Sequence, residues 1–152
     1  MAAAAADERR LRVRDADFTA DFASIRHVRS TVFIDEQQVP RELEFDDRDD
    51  RCRHVLAFDG DTPVGTGRLD LDYGGKVGRV AVVATHRGSG VGRAIMQRLH
   101  DIAREQQQPH LWCHAQLTAV PFYERLGYRR VGPTFVEAGI DHVRMERDPP
   151  ST

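Results

Sequence analysis

The chain has 152 residues, 40% of them hydrophobic and 30% charged, with a formal net charge of −2 at pH 7. That length fits one domain with a substantial core. The near-neutral balance gives no global pull toward nucleic acid or an anionic membrane, and the longest purely apolar run, Val80 to Ala84, falls far short of the ~20 residues that span a bilayer.

Residues 1–10 begin with an alanine run ahead of Asp7-Glu8-Arg9-Arg10. No basic region precedes a long apolar one, so this reads as a disordered extension, not a signal peptide, leaving one domain over 11–148. Leu11-Arg12-Val13 alternates as a short first strand. Asp17 to Phe33 carries a helical apolar stripe through Phe18, Phe22, Ile25, Val28, Val32 and Phe33. Arg41 to Arg53 is dense in charge and is expected to be a solvated loop with one short helical turn. His54 to Phe58 and Pro63 to Asp72 read as strands paired around Asp59-Gly60-Asp61. Lys76 to Val83 is a central strand. A helix follows, with Val91, Ile95, Leu99, Ile102 and Ala103 on one face. His110 to Gln116 is a strand, Ala119 to Leu126 a short helix stopped by Gly127. Tyr128 to Phe135 and Asp141 to Arg147 close the chain as a hairpin around Ala138-Gly139. This order implies a mixed α/β sheet with helices on its faces.

The most informative stretch is Arg79 to Arg93, a buried strand, a glycine-rich turn and a helix start. Gly88, Gly90 and Gly92 leave backbone N–H groups uncrowded. The helix behind them adds about half a positive charge, so the turn suits an anion, above all a diphosphate. A P-loop is excluded, because position 93 is Arg and no Lys-Ser or Lys-Thr pair follows the glycines. The dinucleotide pattern Gly-x-Gly-x-x-Gly is excluded too, because Gly88-Ser89-Gly90-Val91-Gly92-Arg93 ends in Arg and lies in mid-chain. Arg-Gly-x-Gly-x-Gly after a Val-Ala-Val strand resembles the acetyl-CoA loop of the Gcn5-related N-acetyltransferase (GNAT) superfamily.

A second segment, Gln116 to Tyr128, resembles the superfamily signature Asn-x-x-x-x-x-Φ-Tyr-x-x-x-Gly-Phe (Φ apolar). Tyr123 and Gly127 match; Gln116 stands for Asn and Tyr128 for Phe. The segments Val28 to Gln37, Val39-Pro40, Glu44-Phe45-Asp46 and His54, with Phe135, Glu137, Gly139, Ile140, His142 and Met145, resemble the ElaA-like branch. The resemblance implies the acyl-CoA N-acyltransferase fold, a mixed and mostly antiparallel sheet with helices on both faces. It implies acetyl-CoA as cosubstrate, with its diphosphate on Arg87, Gly88, Ser89, Gly90, Val91, Gly92 and Arg93. Its pantetheine arm would lie along Val80, Ala81 and Val82, with Gln116 and Tyr123 beside it. A β-strand N–H near Val82 would face the thioester oxygen, a contact worth about 2.7–4 kcal/mol of barrier.

The implied reaction moves acetyl to a primary amine of a small molecule or peptide by direct attack through a tetrahedral intermediate. Tyr123, with an ordinary pKa of about 10, would protonate the departing thiolate. Glu36 and His142 lead the candidates for general base, with Glu44, Asp46 and Glu137 behind them. The resemblance places the acceptor amine on the side formed by the first helix and the Arg41 to Arg53 loop, and the acidic residues there point to a cationic substrate. No metal site is expected: on a strand His110 and His114 lie ~13 Å apart. Arginines form no continuous run with interleaved aromatics, so nucleic acid is not an expected partner. With only Cys52 and Cys113, a reducing cytoplasm is expected, and Cys113 reads as structural. Exposed edge strands make a homodimer an expectation. A CoA-binding regulatory protein without turnover, or an interaction module without CoA, stays open at this point.

Overall fold

A computed structural model of the chain describes residues 10–149; the expected extension over 1–10 lies, but for Arg10, outside them. Seven strands form one sheet in the order β1-β2-β3-β4-β5-β7-β6. They are β1 (Leu11–Ala16), β2 (Arg53–Asp59), β3 (Thr62–Asp70), β4 (Lys76–Val82), β5 (Leu111–Gln116), β6 (Arg129–Glu137) and β7 (Ile140–Arg147). Every neighbouring pair is antiparallel except β4 and β5. The helices are α1 (Phe22–Arg29), α2 (Arg41–Glu44), α3 (Val91–Glu105) and α4 (Val120–Glu124).

Helices cover both faces, and β2 records it in its side chains. Val55 and Ala57 pack into the cluster beneath α3, while Leu56 and Phe58 pack with Ile25 of α1; successive strand residues point to opposite faces. On α3 the predicted stripe is buried, with Met96 added. It sits close against β3 because Gly65 and Gly67 offer no side chains: a Cβ at either would stand 2.7 or 2.9 Å from Ile95. Burying each large aliphatic there stabilises the fold by about 1.5–3 kcal/mol.

Three expectations need correction. The first helix starts later than Asp17, because the Asp17 and Asp21 carboxylates take backbone N–H groups of Ala20 and Asp17 and hold a turn there. It also ends later, continuing past Arg29 as a π-helix over Ser30–Glu36. Arg41 to Arg53 is not simply solvated: Glu44 and Asp49 are buried. The closing hairpin turns on Ala138 and Gly139, both at positive φ (53° and 78°), as a two-residue turn between twisted strands requires.

Candidate active site

The parallel pair β4 and β5 meets at a single register pair, Lys76 with Trp112. Beyond it the strands part, and β4 carries no partner on that side. The gap opens a cleft of ≈ 680 Å³ lined by Val80, Ala81 and Val82 on one wall and His114, Gln116 and Tyr123 on the other. Pairing with β3 is also interrupted: Thr66 faces Ala81 and Arg68 faces Gly78, so Gly67 opposes both Arg79 and Val80. Arg79 occupies this bulge at φ 52°, a conformation that costs a residue with a side chain about 1–2 kcal/mol. Its guanidinium is tied to the Glu44 and Leu43 carbonyls at 3.1 Å and to the Asp46 carboxylate at 3.2 Å.

The glycine loop stands at one end of the cleft. Gly88 and Gly90 adopt φ 79° and 88°, and a Cβ on either would meet nothing within 4 Å; the backbone there faces open space. The N–H groups of residues 88–93 donate to no backbone or side-chain acceptor among the described residues, and the α3 ladder begins with Ala94 donating to the Gly90 carbonyl. Six successive donors at a helix N-terminus fit a diphosphate. Gly92 differs from its two neighbours: a Cβ there would sit 3.2 Å from the Phe122 ring, so its smallness lets α3 pack on α4. The loop is braced from below by His86, whose Nε2–H donates to Asp59 at 2.9 Å.

Arg87 and Glu36 are brought to each other. Arg87 donates from Nε to the Val82 carbonyl (2.9 Å) and from Nη2 to Glu36 Oε1 (2.8 Å). Glu36 is exposed and does not line the cleft, whereas His142, Glu137, Glu44 and Asp46 do. Tyr123 lines it from α4, largely buried, with its ring against Phe122 and Tyr128. Burial raises its pKa well above the ordinary value, so the hydroxyl keeps its proton at neutral pH. Gln116 at the end of β5 donates from Nε2 to Gln37 Oε1 at 2.8 Å, and both residues line the cleft. Ser89 and Arg93 are exposed, the serine hydroxyl donating to the His86 carbonyl.

His142 Nδ1 lies 2.7 Å from the Ile140 carbonyl. A carbonyl only accepts, so Nδ1 carries a proton, and in the neutral ring Nε2 is the nitrogen left to accept. Nε2 lies 3.8 Å from Glu137 Oε2, while Glu137 Oε1 accepts from His114 Nδ1 at 3.0 Å. The His114 hydrogen bond, against partial burial, lowers the Glu137 pKa. Cys113 is buried on the other face of β5, its thiol pushed up to about 12 by desolvation, which disfavours the thiolate that a nucleophile needs.

Under the cleft floor, Arg29, Arg68 and Arg79 interleave with Glu44, Asp46 and Asp49 at 2.7–3.3 Å. Burial would raise the pKa of Asp46, but hydrogen bonds and charge from Arg68, with the charge of Arg79, hold it well below the usual carboxylate range. Burial of Glu44 prevails over Arg79 and Arg29 and raises its pKa.

Sequence reasoning gave no individual place in the cleft to His114, Lys76, Arg79 or Gln37, all of which line it. The alternation Trp112, His114, Gln116 against buried Leu111, Cys113, Ala115 was the available signal for His114; for Arg79 there was none, since nothing local marks a non-glycine bulge. Among the described residues no group of three or more His, Cys, Asp or Glu could hold a metal ion, and no helix is long and apolar enough to cross a membrane.

The comparisons agree with this architecture. A family model for the acetyltransferase (GNAT) domain matches residues 16–149. The uncharacterized N-acetyltransferase YjcF of Bacillus subtilis (strain 168) is 40% identical over 124 residues, covering 80% of this chain and 89% of that protein. The crystal structure of Escherichia coli ElaA has a TM-score of 0.80 at 25% identity, covering 90% of this chain and 99% of that one. An acyl-CoA N-acyltransferase from Pseudomonas aeruginosa shares the fold, with a TM-score of 0.80 at 24% identity, 90% of this chain and 99% of that one covered. A parted parallel strand pair, an open amide-lined turn and a family match over nearly all of its length make one statement: the chain belongs to the GNAT acetyltransferase family and is an acyltransferase.

Proposed function

We propose that the protein transfers acetyl from acetyl-CoA to a primary amine by direct attack. The observation that carries this is the run of six free N–H groups at 88–93 beside an unpaired edge of β4. The glycine loop would hold the diphosphate, and the exposed backbone of Val80, Ala81 and Val82 would pair with the pantetheine amides. Acetyl-CoA supplies an acetyl group activated as a thioester. An N–H of β4 would donate to its carbonyl oxygen as negative charge grows there. His142 Nε2 would accept the proton of the acceptor ammonium or amine, since an amine with pKa near 10.4 attacks only once deprotonated. The resulting imidazolium would face the Glu137 carboxylate. Tyr123 would return a proton to the departing sulfur. Glu36, outside the cleft and engaged by Arg87, is the weaker choice of base, and the depth of Cys113 argues against an acyl-enzyme.

The test is thiol release from acetyl-CoA with a panel of primary amines. Acceptor-dependent release, lowered about 10²-fold or more in His142→Gln, supports the reading. CoA binding with no acceptor-dependent thiol would make the protein a binder with the fold and no turnover.

A further inference from the structure

The acids on the acceptor side look like a lure for a cation, but their charge is already matched. Glu44, Asp46 and Asp49 are each in contact with arginine. With three carboxylates against Arg29, Arg68 and Arg79, the floor is neutral; protonation of Glu44 would only leave it positive. Arg87 is matched by Glu36. One cleft cation remains. Lys76, the single lysine of the whole sequence, lines the cleft and has no carboxylate within 4.0 Å among the described residues. Its Nζ lies 5.1 Å from the centre of the Trp112 ring, at the point where β4 and β5 part.

A partly buried ammonium resting on an aromatic ring is incompletely solvated. Burial lowers its pKa; the charges of Glu137 and Asp46 oppose this, and those of Arg68 and Arg79 add to it. An anion seated there would relieve this cost, so the position rewards a negatively charged group. On the same cleft, Glu137 is the one lining carboxylate with no arginine partner; it serves His114 and stands near His142. The cleft therefore offers one carboxylate without an arginine, beside the base, and one ammonium with no carboxylate in contact, at its closed end.

We infer that the acceptor carries an anionic group as well as its amine, and that Lys76 binds that anion while the amine is presented to His142. Lys76 is a specificity-determining residue, and the acceptors are amino acids or amines bearing phosphate. The inference rests on the acetyl-transfer reading above and narrows its acceptor.

Thiol release is measured with α- and ω-amino acids against their carboxamides, and with 2-aminoethyl phosphate against ethanolamine. The expected result is at least a tenfold higher kcat/KM for the anionic member, the gain of a charged hydrogen bond. The two arms separate carboxylate from phosphate. Lys76→Met should raise KM for the anionic member about tenfold or more with a smaller change in kcat, and Lys76→Arg should restore most of it. Carboxamides or ethanolamine used as well as their anionic counterparts, or a Lys76→Met variant with the same preference, overturns the inference. Calorimetry of the same compounds with CoA-saturated protein gives a second readout where turnover is low: tighter binding of anionic members, lost in Lys76→Met, supports it, and equal binding overturns it. Absence of CoA binding would instead defeat the acetyl-transfer reading.

Discussion

Lys76 and Trp112 are the only residues through which β4 and β5 run in register, and the working half of the molecule follows from what happens after them. A bulge beside that pair completes the opening. Gly67 faces both Arg79 and Val80, which tilts the β4 backbone just where the cleft begins. The left-handed strain at Arg79 persists because its guanidinium is anchored to α2 and Asp46.

Gly90→Glu should abolish CoA binding. A side chain and a like charge enter the open space over the free amides, and φ 88° at that position disfavours any side chain by about 1–2 kcal/mol, too little to unfold a domain of this size. Calorimetric titration with CoA checks it, with circular dichroism to show that the variant is folded. Binding at wild-type affinity would remove the loop from the account.

Tyr123→Phe should reduce turnover by about 10²-fold, the usual worth of a placed proton donor, and leave CoA affinity within about twofold. The hydroxyl makes no hydrogen bond to another described residue, so unfolding midpoints should agree. Steady-state kinetics with the best acceptor decide; unchanged kcat would take the acid role from Tyr123.

Arg29→Met should cost about 3–5 kcal/mol of stability, because Glu44 and Asp49 would stay buried with one arginine fewer, leaving three carboxylates against Arg68 and Arg79 alone. Arg29 makes a 2.7 Å contact to each carboxylate while only 1% exposed. Arg29→Lys should recover little, since an ammonium cannot fork between two acids and the Glu44 carbonyl. Urea unfolding measures both. A loss under about 1 kcal/mol would show that the network contributes nothing net.

Acid should destabilise the fold well above the carboxylate range. His100 is buried beside the Tyr128 hydroxyl, and burial, with the charge of Arg147, brings its pKa from 6.5 down to about 4. Between those values the unfolded chain binds the extra proton, so stability falls as pH falls. From pH 7 to pH 5 the loss from His100 alone is about 2 kcal/mol. His54, lowered by burial, acts in the same direction. Urea midpoints at the two pH values test this: His100→Asn should flatten the dependence, and parallel wild-type and variant profiles would contradict it.

Much of this was legible in the residue order. Alternation marked β1, turn residues and apolar runs bounded the other strands, a 3.6-residue period marked the long α3, and Arg87 to Gly92 marked the loop because free amides need glycine around them. What stayed hidden depends on residues far apart in sequence. Charge density over Arg41 to Arg53 reads as solvated until Arg29, Arg68 and Arg79 arrive from three other elements to bury Glu44 and Asp49. The pairing of Glu36 with Arg87, 51 residues apart, is likewise invisible in the residue order. The π-helical continuation past Arg29 carries no periodicity of its own within seven residues.

The most direct test of the central claim is a crystal structure with CoA. Its diphosphate should lie within hydrogen-bond distance of the amides of residues 88–93, with the pantetheine arm along Val80 to Val82. A diphosphate bound elsewhere, with those amides still facing solvent, would contradict the account.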